Sequence, residues 1–544
     1  MKNFYWPTAL VRALTGAALL AGLAACGSDD DGTVVSTSTG IVEGVENANS
    51  YSFLGIPYAA PPVGALRWRA PAAATAWTDV RPAKAFGPHC AQVTTPFGTA
   101  STSEDCLYLN VYTPKGSGPF PVMVWIHGGA FYLGQSDAYD PARLVAQGNV
   151  VVTINYRLGA LGFMSHPALS AEQGGTSGNY GLMDQQAALR WVRANIANFG
   201  GNANNVTIFG ESAGGFSVHS HLASPGSVGL FNKAIIMSGG YALGAGAQDT
   251  LAAAETKGAT VAASAAALIS AATNTTVPAC TTAACLRALP ASVLLGAQMA
   301  AWPSGPVPSV DGTVLTKSVR QALIDGTYTK VPLIQGTTAD EWRLFVALDE
   351  IGTATTAKPY LGTPLNATTY PQSIVGTFPF LAGQQTALSA AVYPASGFGG
   401  NYSVAMGALG TDLLFTCNAR WSSKQQKAGA SVYAYEFADR TVPALFPVSF
   451  PMGAAHTTEL NYLFNIAGKA APTATQQVVA DAIVGYWSRF AATGNPNTTA
   501  APTAWPALGT TESVMQFGDT ANTLVPDAAF TATHRCSTVW TPGV

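Results

Sequence analysis

Between residues 120 and 240 short unbroken apolar runs alternate with stretches of helical periodicity. Val122-Met-Val-Trp-Ile126 and Val150-Val-Val-Thr-Ile154 lack the polar alternation of a half-exposed strand, which predicts strands buried on both faces. Val206-Thr-Ile-Phe209, Ala234 to Met237, Val331 to Gln335, Val432 to Phe437 and Val514 to Phe517 read as further strands. Leu182, Leu189, Val192, Ile196 and Phe199 share one helix face, and Gly200-Gly201-Asn202 ends that helix. Strand and helix in alternation predict an α/β fold with one large, mostly parallel sheet. Residues 241 to 300, rich in Ala, Thr and Gly, predict interrupted surface helices. Residues 352 to 410, rich in Gly, Pro and Thr, predict an irregular cap inserted between sheet strands, where substrate choice would reside.

Composition narrows the partners. Of 544 residues, 48% are hydrophobic and only 10% charged, against roughly 25% charged in an average soluble protein. A net charge of -3 with no long basic run gives little drive toward a phosphate backbone. Nucleic-acid binding is set aside.

The first residues read as an export signal. Lys2 and Arg12 form the positive flank, and Ala13 to Ala25 form an apolar run too short to span a bilayer. The run ends in Leu23-Ala24-Ala25-Cys26, which resembles the bacterial lipobox, and a polar leash follows from Gly27. The resemblance implies cleavage before Cys26, acylation at that residue and tethering to a membrane of the cell envelope; without the lipid, the protein would be periplasmic or secreted. The predicted organisation is therefore a signal peptide over 1–25, a tether over 26–35 and a single α/β domain over 36–544. Seven cysteines are an odd number, and setting Cys26 aside leaves six that can pair, with 15 connectivities open.

The sharpest chemical signal is Gly210-Glu211-Ser212-Ala213-Gly214, directly after the strand ending at Phe209. A strand-to-helix turn this tight needs small neighbours and holds the serine hydroxyl exposed above the sheet. A nucleophilic serine also needs backbone donors for the developing oxyanion. His127-Gly128-Gly129-Ala130-Phe131, after the strand ending at Ile126, supplies them. In this arrangement an acid and then a histidine follow the serine in the chain. Among seven histidines, His219 and His221 sit on the helix leading away from the serine and His534 sits beside Cys536. His456, in a loop after the Val432 to Phe437 strand, is the best base.

At these residues the chain resembles the type-B carboxylesterases, the group that includes cholinesterases, para-nitrobenzyl esterases and related fungal lipases. The resemblance runs from about Ile41 to Cys536 and is carried by Tyr51 to Pro61 with Arg67-Trp68, by Ser103 to Asn110, Trp125 to Phe131, Gly178 to Asp184 and Gly210 to Gly215, in order. It implies an α/β-hydrolase fold and ester hydrolysis through Ser212, with His456 as base and no metal or organic cofactor. It assigns the acid to Glu341 in Gly336-Thr-Thr-Ala-Asp-Glu341, with Asp340 as the alternative, because Trp342 stands where the family has glycine. It makes Gly129, Ala130 and Ala213 the oxyanion donors and Ser238 the hydroxyl that supports the acid. It pairs Cys90 with Cys106, Cys280 with Cys285, and Cys417 with Cys536. The first bridge closes a loop of about 15 residues, for which chain entropy suggests ~3 kcal/mol. That loop contains Phe97 and no tryptophan, so the choline-stacking residue of cholinesterases is missing.

The expected reaction is two-step acyl transfer on a small-molecule ester, with activity falling below a pH near 6 to 7, the ordinary range of imidazole. The same triad would serve a lipase, thioesterase or amidase. A non-catalytic binding module of this fold would have lost the serine. Trp302, Phe97 and the 352 to 410 region are candidates for the pocket lining.

Overall fold

The computed structural model describes residues 32–241, 248–303, 305–352, 361–498 and 503–540; the signal peptide and Cys26 lie outside them. The main sheet has eleven strands: β1 (Val45–Glu46), β2 (Ser50–Pro57), β3 (Tyr108–Pro114), β4 (Phe120–Ile126), β5 (Val150–Ile154), β6 (Gly201–Glu211), β7 (Lys233–Met237), β8 (Leu333–Thr338), β9 (Val432–Phe437), β10 (Ser513–Phe517) and β11 (Asn522–Pro526). Their spatial order is β11-β10-β9-β8-β7-β6-β4-β5-β3-β2-β1. The seven from β10 to β5 run parallel, and the antiparallel pairs are confined to the two flanks.

Strand β4 shows why its apolar run is unbroken. Val122, Val124 and Ile126 enter one core, while Met123 and Trp125 enter another on the opposite face. The same division separates Ala234 and Ile236 of β7 from Ile235 and Met237. Helices α1 (Tyr180–Asn195) and α2 (Ala213–Ala223) cover the first face with Leu182, Leu189, Val192, Val218 and Leu222. Helix α3 (Leu251–Thr273) forms a satellite cluster beyond them. Helices α4 (Arg343–Glu350), α5 (Thr369–Thr377) and α6 (Tyr402–Gly410) share a core of their own, and a π-helical turn at Thr411–Thr416 leads from α6 into α7 (Cys417–Gln426). Helix α8 (Ala474–Thr493) covers the second face of the sheet with Val479, Ile483, Trp487 and Phe490.

The predicted strands are all present, two with the same bounds. The Ala-rich stretch is an interrupted set of helices as expected, Leu251–Thr273, Ala283–Ala288 and Ala291–Ala297, of which α3 runs 23 residues because Ala254, Val261, Ala262 and Ala265 make a buried stripe along it. The segment expected to be an irregular cap is built of α5, α6 and short turns around Tyr370, Ile374, Leu388 and Leu409. Pro371 falls in the first turn of α5, where a missing N–H costs nothing. The residues expected to be tether overlap the fold, since Val34 and Val35 already pair with Glu43 and Val42 in a small separate sheet. All three expected cystine bridges are present, Cys90–Cys106, Cys280–Cys285 and Cys417–Cys536. No helix among the described residues is long and apolar enough to cross a membrane.

Candidate active site

The order of the strands reverses between β4 and β6, and their ends are level, with Ile126 opposite Gly210. A crevice opens outside the carboxyl ends of parallel strands at such a point. The adjoining strands β7, β8 and β9 end level with them, through Met237 opposite both Glu211 and Gly336, and Thr338 opposite Phe437. Loops from five neighbouring strands therefore converge on one spot: His127 to Phe131, Ser212, Ser238, Glu341 and His456.

Ser212 has φ 54° and ψ −123° and begins α2, a strained conformation outside the usual regions for a residue bearing Cβ. Two contacts force the geometry. A Cβ on Gly214 would lie 1.9 Å from the Ile126 carbonyl oxygen, and one on Gly128 would lie 2.8 Å from the Glu211 carboxylate. The Ser212 N–H donates to Met237 O at 2.9 Å, tying the turn to β7. Facing it, Gly129, Ala130 and Phe131 all have positive φ, at 111°, 50° and 59°. Such a run turns successive N–H groups toward one concavity. The N–H groups of Gly129, Ala130 and Ala213 donate to no acceptor among the described residues, and that of Ala213 opens a helix whose dipole adds positive potential. Gln92 fixes this loop from the Cys90–Cys106 segment, accepting from Gly134 N at 2.8 Å and donating to Gly134 O at 2.9 Å. His127 is buried and stacks on Tyr156. Burial lowers its pKa to about 4, so it is neutral.

His456 is buried, and its Nδ1 lies 2.5 Å from Glu341 Oε2. The other Glu341 oxygen accepts from Thr338 N at 2.8 Å. Asp340, the alternative acid, is turned away into ion pairs with Arg343 at 2.8 Å and Arg440 at 2.7 Å. Trp342 has φ −72°, a value open to any residue, so a side chain at the family's glycine position strains nothing in the backbone. Ser238 departs from expectation: its hydroxyl is buried without a hydrogen-bond partner among the described residues, and Thr338 N makes the second bond to the acid.

Two glutamates given no role in the sequence complete the surroundings. Glu211 Oε1 lies 3.1 Å from His456 Nε2, and Glu459, three residues beyond His456, is buried and near enough for its charge to act on the imidazole. Burial lowers the His456 pKa, but the charges of Glu211, Glu341 and Glu459 override it and carry it up to about 9. Burial raises Glu211 to about 7 and raises Glu459 well above the usual carboxylate range. Glu211 stands beside Ser212 in the serine motif and Glu459 three residues after His456, yet only the folding of β6 against the His456 loop makes them neighbours. The other histidines are elsewhere: His219 is held by Gly239 O, His221 by Gln185 and Ser227, and His534 lies between Asp412 and Glu436.

A parallel sheet with a strained serine turn where its strand order reverses is the α/β-hydrolase class of fold. Residues 31–537 match the model of the carboxylesterase family, and the chain belongs to that family. It is 35% identical over 522 residues to the para-nitrobenzyl esterase of Bacillus subtilis strain 168, covering 92% of this chain and 95% of the relative. It is 42% identical over 342 residues to the fumonisin B1 esterase of Sphingopyxis macrogoltabida, a match spanning 61% of each chain. A solved para-nitrobenzyl esterase structure superposes with a TM-score of 0.73 at 32% identity, over 92% of this chain and 99% of that one. The protein is a carboxylesterase.

Proposed function

We propose that the enzyme hydrolyses carboxylic esters by forming an acyl-enzyme on Ser212, with His456 as base and Glu341 orienting it. The observation that carries this reading is the buried imidazole held at Nδ1 by Glu341 while its Nε2 lies 3.1 Å from the carboxylate of Glu211, the residue next to Ser212. His456 takes the Ser212 proton as the oxygen attacks the acyl carbon, and Gly129, Ala130 and Ala213 donate to the oxyanion. Removing one such donor typically costs ~3 kcal/mol. The alcohol leaves with the imidazolium proton, and water repeats the sequence to release the acid. Wild-type protein is expected to turn over para-nitrophenyl acetate and the Ser212→Ala variant to lose that activity; unchanged turnover in the variant would refute the assignment. Faster turnover of a matched thioester or anilide would make the enzyme a thioesterase or amidase using the same groups.

The proposed organisation adds a removable leader over 1–25 and a lipid on Cys26 of a single enzymatic domain. Three cystines fit an oxidising, extracytoplasmic compartment. In expressing bacteria, the protein is expected to partition into detergent, and Cys26→Ser to release active enzyme into the aqueous phase.

A further inference from the structure

The sequence places Trp342 beside the acid, and the fold gives it a job. Its ring stacks on Phe345 with centroids 4.2 Å apart and stands 6.2 Å from Phe415. Phe345 and Phe415 in turn lie 5.5 and 5.1 Å from the His456 imidazole. An aromatic wall thus runs from the imidazole outward, and Trp342 and Phe345 are its partly exposed members. The main chain that carries the indole is held in place. The Trp342 main-chain N–H donates to Thr411 Oγ1 at 3.0 Å, which donates on to Gly407 O at 2.8 Å. Any Cβ at position 410 would lie 2.1 Å from Trp342 Cγ, so Gly410 makes the room the ring uses.

Behind the wall is a small cavity of about 10 Å³, lined by Trp342 itself with Val346, Leu365 and Met406 and by the acidic Asp349 and Glu350. Given the proposed triad, on which this step rests, the two halves of the ester are told apart by proton transfer. When the tetrahedral adduct collapses, the bond from acyl carbon to alcohol oxygen breaks and the imidazolium proton of His456 moves to that oxygen. Side chains flanking the imidazole therefore border the alcohol half. We propose that Trp342 sets the length of the alcohol this enzyme accepts, because its indole fills the space beside Val346, Leu365 and Met406 that a longer leaving group would need.

The test compares kcat/KM for ethyl, butyl, octyl and decyl acetate, and in parallel para-nitrophenyl acetate, butyrate and octanoate. Trp342→Ala is expected to raise octyl and decyl acetate relative to ethyl acetate by at least about tenfold, since each methylene moved into apolar surroundings is worth about fourfold. The para-nitrophenyl series is expected to keep its order. Trp342→Phe is expected to fall between and serves if the alanine variant folds poorly. Adding Leu365→Trp to Trp342→Ala refills that space and is expected to restore the preference for short alcohols. An unchanged alcohol series in a folded variant that still hydrolyses ethyl acetate would overturn the proposal, as would a gain confined to the acyl series. Wild-type protein inactive on every ester would instead refute the triad reading.

Discussion

Glu341, Glu211 and Glu459 crowd one buried imidazole, and their charge decides the pH at which it can act. In the proposed triad a protonated His456 cannot accept the serine proton, so activity is expected to rise as pH rises through its pKa. With the carboxylates holding that pKa near 9 rather than 6.5, the acidic limb of kcat/KM is expected above the ordinary imidazole range that the sequence suggests. Glu211 is the largest of the raising charges. Glu211→Gln is therefore expected to move the limb to lower pH, read from kcat/KM between pH 5 and 10; an unmoved limb would show that Glu211 is uncharged when the enzyme works. Ser212 stands out in sequence because its motif has a local logic, a tight turn after an apolar strand, whereas His456 is singled out there by its place in a loop after a later strand. Glu341 is preferred to Asp340 there through the family resemblance alone, since the physical reason lies in Arg343 and Arg440 closing over the other carboxylate. The pull of Glu211 on His456, 245 residues away in the chain (456 − 211), is invisible until the loops meet.

The elements follow the same rule. Strands β5 and β9 have their predicted bounds because both faces are buried and only strand geometry hides every residue of such a run. The flanking strands β2, β3 and β11 carry mixed patterns, having fewer neighbours to bury them, and give a weaker signal. The joint between β6 and α2 is the most exacting local structure, because Gly214 touches the end of β4. Gly214→Ala would set a methyl 1.9 Å from the Ile126 carbonyl, and overpacking against backbone costs at least about 1–3 kcal/mol. Urea unfolding is expected to show that loss together with reduced esterase activity. Gly397→Ala, with nothing within 4 Å of the added methyl, is expected to stay within about 0.5 kcal/mol of wild type. Equal stability of the two variants would mean that the turn relaxes at no cost.

Across the whole molecule, the chain's end is fastened to the sheet and the cap by a second buried charge cluster, remote in sequence from the first. His534 Nδ1 lies 2.7 Å from Asp412 Oδ1 in the π-helical turn, and its Nε2 lies 2.8 Å from Glu436 Oε1 on β9. Gln516 of β10 donates to the other Glu436 oxygen and the Tyr393 hydroxyl to Asp412, while the Cys417–Cys536 bridge holds the same segment covalently. Burial lowers the His534 pKa, but the two carboxylates override it and raise it to about 10. A folded pKa above the unfolded one, near 6.5, stabilises the fold fully below pH 6.5 and loses that contribution as pH climbs through 10. Thermal melts of wild type are therefore expected to fall steadily between pH 6.5 and 10.5. His534→Gln is expected to melt lower at pH 6.5, because it takes the cation from between two buried carboxylates and leaves Asp412 with the longer 3.5 Å pair to Arg535, and the gap between the two proteins is expected to narrow toward pH 10.5. A gap that stayed constant with pH would mean that His534 acts by packing against Phe530 and not by its charge.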